Sequence, residues 1–432
     1  MSPTSPDHDL RIDGARLIAQ LDALAQIGAY RGPAGEPGCC RLALTDADRA
    51  GRDQVVAWLR GLGLHIRIDA IGNVLAIRPD RNGRIDQPVV AGSHIDTVRT
   101  GGRFDGNLGV LAGLEVIQTL IDADIATLRP VGVAFFTNEE GARFSPDMLG
   151  SLVYVGGMTV QEAYAIRGID GATVGDELSR IGYVGPAPCP GPVPFAYVEL
   201  HIEQGPVLES EGLRVGAVTG VQGISWQEIS ITGQSNHAGT TPMALRHDAG
   251  YAAARIATFV RDLVRDIGPP QVGTVGQIAL FPGLVNVIAA SARLTVDLRH
   301  TDDAKLQQAE SRLSEFVDQL ARDEGVQITR RSLARFAPVG FDPRMVALVE
   351  AMAKRLHAPV RRLPSGAGHD AGILAGVCPA GMIFTPSVRG ISHNPAEQTD
   401  PDDLILGANV LLHTVLRLAN HEDPWADRAA AD

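Results

Sequence analysis

Cysteine is scarce in this sequence: Cys39, Cys40, Cys189 and Cys378 are the only four in 432 residues. They form no CxxC pair and no dense framework, which excludes a disulfide-stapled secreted domain and a thiolate-ligated zinc module. They read as reduced thiols in a cytoplasmic protein. No apolar run reaches the roughly 18 residues that cross a bilayer. Met1–Leu10 is polar and proline-bearing where a secretory leader would carry an apolar stretch. Positive charge is also in deficit. Lys and Arg number 38 against 50 Asp and Glu, for a formal net charge of −12, so neither nucleic acid nor an anionic membrane is an expected partner. The deficit leaves room for a small anionic substrate, because one buried Arg can dominate a local site. There is no internal repeat and no long low-complexity linker. Gly185–Pro194, rich in Pro and Gly, is expected to be a surface loop.

What is present is globular patterning over a length that favours two domains. Arg16–Gly28 carries apolar residues at helical spacing. Thr45-Asp46 predicts the N-cap of a helix running to about Leu62, which Gly63 helps to end. Two β-type runs follow, His65–Asp69 and Val74–Arg78, joined by a Gly72-Asn73 turn. Val89–Gly92 and Val131–Thr137 are solid apolar runs on either side of a helical Leu108–Leu120. Solid strands alternating with helices predict a sheet at least partly parallel and covered by helices on both faces. Such sheets bind ligands at strand C-terminal ends.

The middle of the chain differs. Ile224–Thr232 alternates, His247–Ile267 is helical, Gln271–Leu280 and Arg293–Arg299 are strand-like, Lys305–Arg322 is helical, and Val326–Arg330 is a further strand. This β-α-β-β-α-β order is a compact α+β domain of its own, of the ferredoxin-like kind. Helix and strand patterns of the first kind resume at Met345–Leu356, Met382–Thr385 and Leu404–Leu418. The expected organisation is an α/β domain built from residues 1–217 and 331–432, with an α+β domain, residues 218–330, inserted between its halves.

Five Gly-rich, polar segments concentrate His, Asp and Glu: Gly92–Thr97 (GSHIDT), Gly102–Asn107 (GRFDGN), Thr137–Gly141 (TNEEG), His201–Pro206 (HIEQGP) and Gly390–Asn394 (GISHN). A lone His is more often structural than ligating, and adjacent glutamates usually form a solvated face. Glu139-Glu140, however, follows the buried-looking run Val133–Phe136. Histidines and carboxylates gathered at such turns match the N/O ligand set of hydrolytic zinc. Asp96 lies two residues after His94. On an extended strand the two point the same way, so Asp96 is expected to accept the second ring N–H of His94; the alternative is a turn residue.

With its motifs GSHIDTV, GGRFDGNLGV, NEEGARF, HIEQGPVLE, NHAGTTPM, GAGHDA and GISHNPAE, the chain resembles the hydantoinase/carbamoylase amidases from about Arg41 to Leu418. These comprise N-carbamoyl-L-amino acid hydrolases, β-ureidopropionases and allantoate amidohydrolases, within the wider superfamily of dizinc aminoacylases and peptidases. One departure is Asn286-Val287-Ile288-Ala289, where the family commonly closes the motif with Pro.

The resemblance implies a mixed-sheet dizinc hydrolase domain carrying an inserted dimerisation lid. It implies two divalent ions per subunit, Zn2+ first, with Mn2+, Co2+ or Ni2+ as alternatives. Asp105 would bridge them, His94 and His393 would complete one, and Glu140 and His201 would hold the other. Glu139 would be the general base; if both glutamates were ligands, no base would be obvious. From the lid, His237 would stabilise the tetrahedral oxyanion and Arg299 would pair bidentately with a substrate carboxylate. Asn286 and Gln204 would hydrogen-bond polar substrate atoms. For Arg299 the alternative is a surface salt bridge. Gly368 and His369, in the turn before a short helix, could offer backbone N–H groups to a substrate oxygen; the alternative is a tight helix entry. His247, His300 and His357 receive no role.

The expected activity is hydrolysis of the carbamoyl amide of an N-carbamoyl-L-amino acid, a small anionic ureido substrate, by a homodimer. Allantoate and N-carbamoyl-β-alanine are alternative substrates, and an N-acyl amino acid or peptide hydrolase is a more distant one. A binding protein on an inactive scaffold would have lost a ligand or the base, and every expected position is filled.

Overall fold

The structure, a computed structural model, describes residues 10–425. It divides into two compact units, one formed by the chain up to Thr219 together with the chain from Gly340, the other by Gly220–Val339. Among the described residues no helix is long and apolar enough to cross a membrane.

The first unit is built on a nine-stranded mixed sheet. Its strand order is Val339–Gly340, Val215–Val221, Ala380–Thr385, Ala196–Ile202, Val89–His94, Val131–Phe136, Val74–Arg78, His65–Ile68, with Val360–Ser365 pairing to Val215–Val221. The four central strands, from Ala380–Thr385 to Val131–Phe136, are parallel, and their outer neighbours antiparallel. Every residue of these four is buried, as expected where helices cover both faces of a parallel sheet. Consecutive residues show it. Glu199 accepts a hydrogen bond from the Ala371 N–H at the start of the short helix Asp370–Leu374. Leu200, pointing the opposite way, packs under Gly407 of the long helix Pro401–Asn420.

Local chemistry sets the boundaries. Thr45 caps Asp46–Gly61 by accepting from the Asp48 N–H. Gly63, at φ +70°, takes the left-handed conformation just past its end. The link between His65–Ile68 and Val74–Arg78 is longer than a two-residue turn: Asp69 accepts from the N–H groups of Ile71 and Asn73, and Gly72 supplies φ +82°.

The second unit is a four-stranded antiparallel sheet ordered Val272–Phe281, Ser291–His300, Gly223–Thr232, Gln327–Phe336. Helices Ala249–Ile267 and Asp303–Glu324, capped by Asp248 and Asp302, pack on it. Along Ser291–His300 burial alternates, so Ala292, Leu294, Val296 and Leu298 meet Ile256, Val260, Leu313 and Val317 of the helices in one apolar core.

Candidate metal centre

The parallel strands carry their polar residues at one end. His94 closes Val89–His94, level with Phe136, after which Thr137–Glu140 turn away. His201 is the penultimate residue of the neighbouring strand, and its ring lies 6.0 Å from that of His94. Asp105 stands just before helix Asn107–Asp122, reached through Gly106 at φ +65°. A Cβ on Gly106 would fall 2.4 Å from the His94 ring, so glycine is required there on both counts.

Asp105 is the hub. Its Oδ1 faces His201 Nε2 at 3.1 Å and His94 Nε2 at 3.7 Å. Its Oδ2 faces His393 Nε2 at 3.3 Å, and His393 Nε2 is also 3.3 Å from Glu140 Oε2. Two ligand sets therefore share one carboxylate: His94, Asp105 and His201, and Asp105, Glu140 and His393. This corrects the expected partition, which paired His94 with His393 and Glu140 with His201. The reason is topological. His94 and His201 end adjacent strands and so reach the same oxygen, whereas His393 comes from the loop beyond Ala380–Thr385 and meets the Oδ2 side with Glu140.

The donor chemistry fits divalent cations. His94 Nδ1 lies 2.9 Å from the Asp96 carbonyl and His201 Nδ1 lies 2.9 Å from the Ile202 carbonyl. With those nitrogens as donors, the His94 Nε2 lone pair faces the carboxylates of Asp105 and Glu139, an arrangement that a cation or a proton satisfies, while His201 Nε2 lies beside Asp105 and within 3.2 Å of the Gly106 N–H. The acids repeat the demand. Burial, then repulsion from Asp370 and Glu140, pushes Glu139 well above the carboxylate range; burial, then Asp105 and Asp96, does the same to Glu140. Burial alone would depress His201, but Asp105 against it holds it up at about 9.

Asp96 departs from expectation. Its Oδ1 is 3.9 Å from His94 Nδ1, and the ring instead faces the Asp96 backbone carbonyl. The strand ends at His94, so the two-residue pleat does not extend to Asp96. Its carboxylate accepts the N–H groups of Glu139 (3.2 Å) and Glu140 (3.3 Å), and so orients the glutamate pair. Glu139 belongs to neither group, yet its Oε2 comes within 3.4 Å of His94 Nε2, which leaves it beside any cation held there and free to exchange a proton.

Gln204, at φ +58°, donates Nε2–H to Asp105 Oδ2 at 2.9 Å, while its Oε1 is buried without a partner. His369 is buried below the site, 2.8 Å from Ser365 Oγ and edge-on to His201. Gly368 lines the pocket with it. This pocket, about 100 Å³, is bounded also by His94, Glu139, Asp147 and Ala367.

In the second unit His237 and Asn286 come together on exposed loops. An isolated bridge pairs His237 with Val287, and the Ala238 N–H donates to the Asn286 carbonyl. Arg299, next to last in its strand, is held by Asp297: Nη2 to Oδ2 at 2.8 Å and Nε to both oxygens at 3.1 Å. The salt bridge that competed with its substrate role is thus present in the fold.

The structure adds residues that the motifs did not single out. Glu397 accepts from the N–H groups of Phe104 and Asp105 and from Ser392 Oγ, and Ser392 Oγ also lies 3.2 Å from Asp105 Oδ2. Both stand inside the GISHNPAE segment, the one signal that could have found them. Arg41, fully buried, spends its guanidinium on the carbonyls of Ile95, Leu24 and Ile27 and on Asn107 Oδ1, at 2.6–3.0 Å. It thereby ties the His94 turn to the Asp105 turn. Arg52, equally buried, pairs with Asp48 and reaches Thr137 Oγ1 beside the glutamates. Arg41 left one trace in the sequence, a charged residue within the apolar stretch Cys39–Leu44, and Arg52, among the charges of Asp46–Asp53, left none.

Comparison with known proteins agrees with this geometry. Residues 90–417 match the model of Peptidase family M20/M25/M40. An N-carbamoyl-L-amino-acid amidohydrolase of Rhizobium meliloti is 42% identical over 96% of this chain and 99% of its own. One of Geobacillus stearothermophilus is 41% identical over 95% and 100%. The crystal structure of a hydantoinase/carbamoylase family amidase from Burkholderia multivorans superposes with a TM-score of 0.92 at 46% identity, covering 95% of this chain and 99% of that one.

Proposed function

The chain belongs to Peptidase family M20/M25/M40 and, within it, to the hydantoinase/carbamoylase amidases, and on that premise we propose that it hydrolyses the carbamoyl amide of N-carbamoyl-L-amino acids. The observation that carries the reading is the division of Asp105, one oxygen to His94 and His201, the other to Glu140 and His393. These five residues would hold two divalent ions, Zn2+ first. When bound, the ions supply Lewis acidity toward the ureido carbonyl.

Glu139 takes a proton from water as its oxygen adds to the carbonyl carbon, and returns that proton to the leaving nitrogen. The amino acid leaves with that proton, and the carbamic acid left behind breaks its remaining C–N bond to give CO2 and ammonia. Asp96 holds the Glu139 and Glu140 backbone in place during the transfer. Gln204 fixes Asp105 through its N–H and keeps Oε1 for the substrate.

The inserted unit, ferredoxin-like in its strand order, acts as the dimerisation lid of a homodimer. It brings His237 to the oxyanion, Asn286 to a polar substrate atom and Arg299 to the carboxylate. Support for the dimer comes from its edge strand Val272–Phe281. Ile278, Leu280 and Phe281 there are 49%, 48% and 66% exposed, an apolar edge that isolated domains avoid. The four thiols are unpaired, which fits a cytoplasmic setting.

The test is release of ammonia from N-carbamoyl-L-amino acids, N-carbamoyl-β-alanine and allantoate side by side, before and after chelation. The expected result is turnover of the first class, abolished by chelator and restored by Zn2+, Mn2+ or Co2+. Undiminished turnover in metal-free protein would overturn the reading.

A further inference from the structure

A second acceptor in the small pocket has no role in what precedes. After Glu140 the chain turns at Gly141 and doubles back. The N–H groups of Met148, Leu149 and Gly150 donate to the carbonyls of Glu139 (2.7 Å), Asn138 (3.3 Å) and Thr137 (2.8 Å). Asn138 Nδ2 closes the loop from inside, donating to the carbonyls of Phe144 and Pro146. Gly141, at φ +62°, lies so close to the returning strand that a Cβ there would stand 2.8 Å from the Asp147 backbone nitrogen. Asp147 is therefore fixed relative to Glu139 and lines the same pocket. Its Oδ2 stands 3.9 Å from where a Cβ on Gly368 would lie, on the pocket's Gly-rich wall. Asp147 is in neither group, and among the described residues its carboxylate is served by its own N–H and by no other donor.

The pocket thus offers two acceptors awaiting donors, Asp147 and Gln204 Oε1. Its volume, about 100 Å³, is that of roughly three waters at ~30 Å³ each. That is room for the three non-hydrogen atoms of a carbamoyl group. A carbamoyl group differs from a formyl or acetyl group by its terminal NH2, which carries two N–H donors. We propose that Asp147 is a specificity residue that accepts a hydrogen bond from the terminal NH2 of the substrate, so that the pocket selects carbamoyl over acyl groups. The proposal rests on the carbamoyl reading above. A substrate lacking the NH2 leaves a desolvated carboxylate unpaired, which is how a site built to receive a donor rejects its isostere.

The experiment compares kcat/KM for N-carbamoyl-L-methionine and N-formyl-L-methionine in wild type, Asp147→Ala and Asp147→Asn, with metal content and thermal midpoint measured on each. Asp147→Ala is expected to lose about 10- to 100-fold on the carbamoyl substrate, the usual worth of a hydrogen bond to a charged group. On the formyl substrate, which leaves Asp147 unpaired, it should lose nothing and gain up to about tenfold. Asp147→Asn, which keeps one acceptor oxygen, should fall between. Equal losses on both substrates, or a loss that follows metal content, would overturn this inference while leaving wild-type carbamoylase activity intact. A wild type that cleaves the formyl substrate and leaves the carbamoyl one untouched would overturn both this inference and the reading beneath it.

Discussion

The two units hold their candidate functional groups in opposite ways. In the first, His94, Asp105 and His201 are 1%, 3% and 1% exposed, and each is braced by backbone or by a buried side chain; His393, its side chain 51% exposed, is the exception. In the second, His237 and Asn286 sit on exposed loops, and Arg299 is steadied by Asp297 on its own strand and lies over the Trp226 ring. Buried ligands are set by folding itself, so damage there should appear first in metal occupancy. Exposed groups gain their purpose only when substrate arrives, so damage there should appear in KM and kcat while metal stays in place.

The largest effect that tests this contrast is Asp105→Ala. Removing the shared carboxylate should take activity to background and strip metal from both ligand sets, measured by elemental analysis. Retention of a full metal complement would break the comparison at its root. Glu139→Gln should lower kcat by about 10²- to 10⁴-fold with metal unchanged, because Glu139 lies in the buried layer without being a ligand; loss of metal equal to that of Glu140→Ala would reassign the pair. Arg41→Met should destabilise the fold by about 3–5 kcal/mol, since it leaves several buried acceptors without a donor. Denaturant unfolding reads this directly, and metal affinity should weaken as the His94 and Asp105 turns loosen. The smallest effect belongs to the exposed unit. Arg299→Lys keeps the charge and loses the fork, so KM should rise about tenfold with metal content and unfolding midpoint unmoved. A substrate whose carboxylate is replaced by an amide should show a smaller change. Equal changes on both would mean that Arg299 serves only its bond to Asp297.

How much of this could be read in advance depended on whether a feature was periodic or convergent. Helix Asp46–Gly61 announced itself through Thr45 and Gly63, and the alternation of Ile224–Thr232 matched the one-sided burial of strand Gly223–Thr232. Strand Ala196–Ile202 was not singled out, although its seven buried residues lie at the centre of the sheet. Glu199 and His201 interrupt its apolar run, and the polar atoms buried with them have no periodic signature. The five candidate ligands stood out because each lies in a Gly-rich turn. Their partition did not, because it depends on which strands are neighbours, and local spacing carries no trace of strand order. Asp96 failed for a narrower reason: the rule that i and i+2 face alike holds only while the strand continues, and it stops at His94.

The shared carboxylate also has a history in time. Asp105 and Ser392, whose Oγ lies 3.2 Å from its Oδ2, are 287 residues apart in the chain. A ribosome adding about 5–20 residues per second needs roughly 15 to 60 s to travel from one to the other. From the making of Glu140 until His393 is added, the nascent protein holds His94, Asp105 and Glu140 without His393. It can offer a metal half a cradle and cannot close the second. The group formed by Asp105, Glu140 and His393 is therefore complete only in the last stretch of synthesis.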